Sequence, residues 1–376
     1  MGKINWKLDI SLKKQLKFTG ADQKEFYAEL RSRVDAYFSE RGISKHANLE
    51  MVLKTVVMVG GYLGIYVTLL LISPGGILPW VLFVLMGVAL AGIGMSVMHD
   101  ANHGAYSSLP WVNRLVGYSL NLVGGSVFNW KLQHNVLHHT YTNIIHYDDD
   151  IADKLVLRMS PHTNVKGLHR YQVVYAFLFY GILTLYWALL KDFVQFARYK
   201  RIGVNGQTTA ENRMTLARIV GAKLFYFGYS LFIPLLVAQL SAGTWIAGFL
   251  LMHFVAGMIL TVVFQLAHTV EGTTHPLPSD QGTMENSWAV HQLHTTVDFS
   301  RNNRLISYYV GGLNFQIEHH LFPRICHVHY PAIAPIVEQT AREYGIPYME
   351  NKGMFEALQS HVRTLQRFGR AEVEFG

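Results

Sequence analysis

A single cysteine, Cys326, stands among 376 residues, so intrachain disulfides are impossible and no cysteine-based metal site exists. Charge is scarce as well. Only 15% of the chain is Asp, Glu, Lys or Arg, half is apolar and the mean hydropathy is positive, which points to a membrane protein. No basic run is interleaved with aromatic residues, so the net charge of +7 does not describe a nucleic-acid surface. It fits lysines and arginines gathered on the cytoplasmic side of a bilayer. The first fifty residues are polar and charged, so no cleavable signal peptide is expected, and Trp6 argues against an N-myristoylation motif.

What the chain has in quantity is histidine, nineteen in all. Seven gather in three stretches at or just beyond the ends of apolar runs: His99-Asp100-Ala101-Asn102-His103, His134-Asn135-Val136-Leu137-His138-His139 and Gln316-Ile317-Glu318-His319-His320. On a helix His99 and His103 share a face, as do His134 and His138. Adjacent residues diverge by ~100° at 3.6 residues per turn, so His138 and His139, and likewise His319 and His320, can serve two metals side by side. Packing does not require paired imidazoles, and burying them unsatisfied is costly. The pattern predicts a dinuclear site built from three helical segments.

The apolar runs place that site. Thr55 to Ser73 and Ile77 to Met98 are uncharged and long enough to cross a bilayer core of ~30 Å, with Pro74-Gly75-Gly76 as the turn between them. Further spans are expected over 220–240 and 245–267, the last capped by His268. Ligands of one site lie on one side of the bilayer, so an even number of crossings separates any two of them. Leu115 to Trp130, Gly-rich and interrupted by Asn121 and Asn129, should therefore not cross. One of the three apolar stretches between His139 and His268 must lie in the interface. Tyr171 to Leu190 suits that place, with Tyr171, Tyr175, Tyr180, Tyr186 and Trp187.

The expected fold is thus all-α and integral to the membrane. Four transmembrane helices and interfacial helices carry a cytoplasmic helical cap, 99–215 and 268–376, that holds the site. Residues 1–48 form a cytoplasmic N-terminal segment and 49–376 the membrane domain. Within the former, Phe26, Leu30, Val34 and Phe38 mark an amphipathic helix from Asp22 to Gly42, lying on the membrane or on the catalytic domain. Lys and Arg crowd the N-terminal segment and Lys191 to Arg218 but are missing from the links at Pro74 and Ala242. That bias puts both termini and every histidine stretch in the cytoplasm of a multi-pass protein, in a bacterial inner membrane or, in a eukaryote, the ER.

The three histidine boxes, in this order and separation, resemble those of the integral-membrane fatty acid desaturases. The glutamine heading the third box is similar to the front-end branch, which desaturates between an existing double bond and the carboxyl end. The likeness continues through Tyr141-Thr142-Asn143, Gly311-Gly312-Leu313-Asn314-Phe315 and Leu321-Phe322-Pro323, and covers most of the chain from the first box onward. The resemblance implies a non-haem di-iron centre held by His99, His103, His134, His138, His139, His268, His319 and His320. His268 also ends a span on the surface of the boxes, as the family's extra ligand does. Gln316 stands where the general family pattern has histidine, and an amide is a poorer donor than imidazole, which leaves direct ligation open. Asp100 and Glu318 are placed to orient a ligand through its second ring nitrogen, and Asp148, Asp149 and Asp150 can do the same or form a solvated loop. His291 and His294, on one face, and Asn143 are candidates for supporting the ligands, as is His146 beside the second box. His253, deep in a span, is expected to pack against a polar neighbour. His46, His162, His169, His275, His327, His329 and His361 read as surface or capping residues.

Zinc prefers one closed or nearly closed tetrahedron, which this many histidines overfill, and it is redox-inert. An alkyl C–H bond has no acidic proton, so chemistry on it needs more than acid–base catalysis. By the resemblance, reduced iron activates O2, hydrogen leaves two neighbouring carbons, and a cis double bond and water result. The protein would supply metal geometry and an apolar tunnel. A front-end Δ6 or Δ5 activity on an acyl-CoA or acyl-lipid is the family-level expectation. No His-Pro-Gly-Gly motif of a fused cytochrome b5 occurs, so electrons are expected from a separate ferredoxin or cytochrome b5 with its reductase. The basic cytoplasmic surface could dock such an acidic partner, or hold acyl-CoA phosphates or an anionic head group. A membrane di-iron hydroxylase is the nearest alternative. A histidine-rich metal transporter would need ligands along a path through the bilayer, where only His253 lies deep.

Overall fold

The structure, a computed structural model, describes residues 15–20, 23–73, 75–152 and 156–370. It is almost entirely helical. Among the described residues the strands are two short parallel pairs, Lys17–Phe18 with Thr283–Met284 and Asp298–Phe299 with Glu350–Asn351. Asp22 and Pro74, which the sequence placed in a helix start and a turn, lie outside the described residues, as does Trp6. Five helices are long and apolar enough to cross a membrane: α2 (Leu49–Leu71), α3 (Leu78–His103), α4 (His169–Ile202), α5 (Thr209–Val237) and α6 (Ala242–His268). The segment 110–130 is broken into three short helices, each too short to cross.

Helix α6 is the axis of the bundle. Small residues let its neighbours approach closely, the means by which helices pack where lipid removes the hydrophobic drive. A Cβ at Gly248 would meet the Phe83 ring, and one at Gly87 would meet the Met252 carbonyl and Val255; Gly94 sits against Leu260. These contacts advance together along both chains, so α3 and α6 run parallel and deliver His99, His103 and His268 to the same end. Helix α4 runs antiparallel to α6, with Gly257 against the carbonyls of Tyr180 and Gly181, and Thr184 bonded to His253. A Cβ at Gly257 would stand 2.5 Å from the Gly181 oxygen. Gly257→Val is therefore expected to cost ~3 kcal/mol by overpacking, read as a lower midpoint of thermal unfolding in detergent.

His253 finds the polar neighbours expected of it. Tyr226 Oη lies 2.7 Å from its Nε2 and Thr184 Oγ1 3.1 Å from its Nδ1. Helix α5 opens into a π-turn at Gly228–Phe232, which spoils the regular ladder. The carbonyls of Tyr229 and Ser230 are taken by Tyr66 Oη at 2.5 Å and Trp245 Nε1 at 3.0 Å, so they stay satisfied inside the apolar bundle. Leu53, Val56, Val57, Val67 and Leu71 of α2 remain exposed, as lipid-facing side chains are.

Helix α4 begins two residues before the Tyr171–Leu190 stretch and runs twelve beyond it. Gln172 near its start donates to the Leu365 carbonyl, while near its end Gln195 donates to Gln133, and Arg198 and Tyr199 bind Asp149. Both ends thus touch the cap, and the middle leans on α6 and on α5, where Lys223 pairs with buried Asp192 at 2.5 Å.

The cap is built on α1 (Lys24–Arg41), α7 (Trp288–Thr295), α8 (Gln316–Leu321), α9 (Tyr330–Glu343) and α10 (Met354–Gly369). Phe26, Leu30, Val34 and Phe38 of α1 are all buried, and they pack with Ile333, Val337 and Ala341 of α9. Burying four such side chains supplies roughly 1.5–3 kcal/mol each, which fixes α1 to the cap.

Candidate metal centre

The eight histidines converge on one buried cluster. Helix α3 ends at Gly104 in the left-handed conformation (φ 77°), which stops it one residue after His103. Its last turn presents His99 and His103 to His134 and His319; the four ligand-capable nitrogens lie within 4.8 Å of one another. His138, His268 and His320 form a second group by the same measure. His139 stands between them, its ring centroid 4.8 Å from His103 and 4.6 Å from His319 on one side and 4.4 Å from His320 on the other.

The second box departs from the spacing expected of it. Lys131–His138 is π-helical, with bonds closing i→i+5 rather than i→i+4. His134 and His138 still share a face, their rings stacked at 5.4 Å, but His134 joins the first group and His138 the second. The third box does diverge as its α-helical register requires, with His319 in the first group and His320 in the second.

The outer ring nitrogens explain why the inner ones converge. His138 Nδ1 donates to Asp148 at 3.1 Å, His320 Nδ1 to Gln292 Oε1 at 2.8 Å and His268 Nδ1 to the Thr295 carbonyl at 3.3 Å. Tyr330 Oη lies 3.3 Å from His319 Nδ1. Such bonds fix the tautomer, leaving each Nε2 lone pair aimed inward. The Nε2 atoms of His103, His138 and His319 are buried without any partner, as is Gln316 Oε1. The amide nitrogen of Gln316 lies 2.9 Å from His268 Nε2 and 3.4 Å from His320 Nε2. Burial and the neighbouring imidazoles push His134, His139, His319 and His320 well below the ordinary imidazole pKa, so they are neutral donors. Burial works against a charge on His138 too, but Asp148 and Asp150 outweigh it and raise its pKa. Unpartnered buried nitrogens in two clusters fit two nitrogen-preferring metal ions and little else.

This geometry has counterparts among known proteins. The profile of the fatty acid desaturase family matches residues 75–352. The chain belongs to the fatty acid desaturase family. It is 36% identical to an sn-1 linoleoyl-lipid 6-desaturase of Arthrospira platensis over 91% of this chain and 92% of that protein. An sn-1 linoleoyl-lipid 6-desaturase of Synechocystis is 34% identical over 95% and 98%, and an acyl-lipid (8-3)-desaturase of Physcomitrium patens is 35% identical over 96% and 75%. The protein is thus an oxidoreductase of lipid metabolism, a fatty acyl desaturase with helices apolar enough for a membrane.

Within this desaturase several supporting roles differ from those the sequence suggested. Asp100 does not reach a box histidine; it accepts from His327 Nδ1 at 2.8 Å and from the His327 backbone, and His327 meets the buried Lys54 Nζ at 2.9 Å. Glu318 likewise turns away from the ligands, toward Tyr348 Oη at 2.9 Å, and its carboxyl pKa is raised by burial and by Asp298 beside it. An i+1 neighbour on a helix points off the ligand face, which is why both were misplaced. His169, His275, His327 and His361 are buried rather than surface residues. His361, for example, bridges the Thr269 carbonyl and Tyr180 Oη. Of the acidic run, Asp148 orients His138, Asp150 lies 3.4 Å from it and Asp149 holds Arg198.

His291 donates to the Thr142 carbonyl at 2.9 Å, while His294 lies apart from both groups and His146 is exposed. Asn143 sits in the left-handed region (φ 58°) and its amide reaches the carbonyls of His268, Thr274 and Thr295, tying the second box to the end of α6. Asn143→Ala removes those bonds and retains a strained backbone, an expected loss of ~1–3 kcal/mol that thermal unfolding would register. Gln292 and Tyr330 were not singled out from the sequence. Gln292 lay inside the His291–His294 segment and could have been noticed; nothing local marks Tyr330.

Proposed function

We propose that the protein inserts a cis double bond into a fatty acyl chain at a front-end position, Δ6 or Δ5, using a His-ligated di-iron centre. The observation that carries this reading is the pair of imidazole groups joined through His139, with unpartnered nitrogens facing one another. His99, His103, His134 and His319 would hold one iron and His138, His268 and His320 the other, with His139 between them and Gln316 beside the second as a donor or as the partner of a bound water. Iron there supplies the reduction of O2 that an unactivated C–H bond demands, two electrons and two protons completing the balance to two waters and the alkene.

The protein's part is to keep eight lone pairs aimed inward and to exclude water. Trp130 helps by lying against His134 at 4.5 Å and against His99 and His103. The electrons come from an external ferredoxin or cytochrome b5 system. The relatives named as linoleoyl-lipid 6-desaturases support an acyl-lipid substrate opened at carbon 6.

For topology, four crossings by α2, α3, α5 and α6 are consistent with an α4 that dips along α6 as far as His253 without crossing, since both its ends engage the cap. The Lys/Arg bias supports a cytoplasmic centre and cytoplasmic termini. Expression in a host lacking front-end desaturases and fed linoleic acid tests the activity. Gas chromatography with mass spectrometry should find a trienoic acid with the new bond at carbon 6 or 5. A hydroxylated product would replace the reading with a hydroxylase, and an unchanged profile with metal flux into vesicles would point to transport.

A further inference from the structure

Electrons have to enter from outside, yet the ligands are buried. Only at one place in the cap does an aromatic side chain with surface exposure bond directly to a ligand's own peptide, among the described residues. Trp288, half-buried at the start of α7, donates from Nε1 to the His139 carbonyl at 3.0 Å. The His139 ring lies within 4.8 Å of rings of both groups, closer than the other contacts between them. Beside Trp288 lies Tyr27 of α1, edge-on at 5.5 Å between ring centroids, and Tyr27 Oη donates to the Leu321 carbonyl, the residue after His320. Tyr27 also stacks on Phe322 at 6.1 Å. The aromatic pair is thus hydrogen-bonded to the second box and to the residue that follows the third.

The surroundings are basic. Lys24 and Arg31 stand three residues before and four after Tyr27, on its face of α1, and Arg324 follows Phe322; all three are exposed. Glu285, three residues before Trp288, opposes them, as does Asp35, which lies 3.8 Å from Arg31 and pairs with Lys45, while Glu25 and Glu29, two residues either side of Tyr27, point off its face of α1. Amphipathic aromatics ringed by cations are the composition of a protein docking site for an acidic partner.

We propose that the Tyr27–Trp288 surface is where an acidic one-electron carrier protein docks, and that Trp288 passes each electron to the centre through the His139 peptide. The proposal rests on the di-iron reading above. Two such electrons, delivered singly, complete each turnover, the carrier being oxidised as the metal pair is reduced.

The test compares two reductants on iron-loaded protein. Reduced plant-type ferredoxin needs the docking surface, and dithionite does not. Trp288→Leu should lower the second-order rate of reduction by ferredoxin about tenfold or more, the cost of losing an aromatic anchor, with iron content and the dithionite rate unchanged. Trp288→Phe, which keeps a ring, should recover much of the rate, and Arg31→Glu should slow ferredoxin with a weaker dependence on salt. An unaltered ferredoxin rate in Trp288→Leu and Arg31→Glu overturns the proposal, as does an equal slowing by both reductants, which would assign Trp288 a structural role. Failure of the di-iron reading itself would appear differently, as wild-type protein that neither reductant reduces.

Discussion

His139→Ala should abolish desaturation and strip iron from both positions. The other box histidines come within 5.0 Å of the rings of one group only, and their contacts across the groups are longer, 5.4 Å for His134–His138 and 5.6 Å for His319–His320, so their loss should weaken chiefly one metal. His139 contacts both, with His103 and His319 on one side and His320 on the other. Alanine there leaves a void among seven buried imidazoles, and burial already disfavours protonation as an escape. The expected loss of metal affinity exceeds the ~10–100-fold typical of an outer-shell partner, and product should fall below detection. Metal analysis of the purified variant, with circular dichroism to establish that the helices survive, checks it. A variant that retains both irons and measurable product would show that His139 only fills space.

Asp148→Asn should have the next largest effect, and a more selective one. The carboxylate accepts from His138 Nδ1, and the His138 charge outweighs burial to hold its pKa below the usual range. It also receives the backbone N–H groups of Asn143 and Asp150, so it ties the end of the second box to the loop that follows. Asparagine is nearly isosteric but neutral, and can turn a donor toward His138. The His138 tautomer is then no longer fixed, and affinity at the second group should drop ~10–100-fold, while the first group, which does not touch Asp148, keeps its metal. Titration with ferrous iron should show one strong and one weak site. Equal weakening of both would mean that Asp148 acts on the cap as a whole.

The contrast between these two residues marks what could be read from the chain. The box histidines are legible because core packing alone does not call for imidazoles clustered at helical spacing, and His268 because it ends an apolar run. The helices that deliver them are legible from the apolar runs themselves; α3 and α6 stop at His103 and His268, close to where those runs stop. Which histidine meets which partner was not legible. His134 and His138 stack on one face of the π-helical turn at Lys131–His138, yet each turns its nitrogen to a different group of partners that come from distant parts of the chain. Partners distant in sequence were equally hidden: Tyr330 beside His319, Gln292 beside His320, His327 beneath Asp100. Adjacent carboxylates such as Glu318 looked like supports because they were near in sequence, but a helix turns them toward Tyr348 instead.

The central claim is that two irons share one cluster of histidines, and it is most directly tested by loading the purified protein with enriched iron and recording its Mössbauer spectrum alongside total iron. About two irons per chain, as an antiferromagnetically coupled pair bleached together on reduction, is the predicted result. One iron per chain, or two that behave as independent ions, would contradict it.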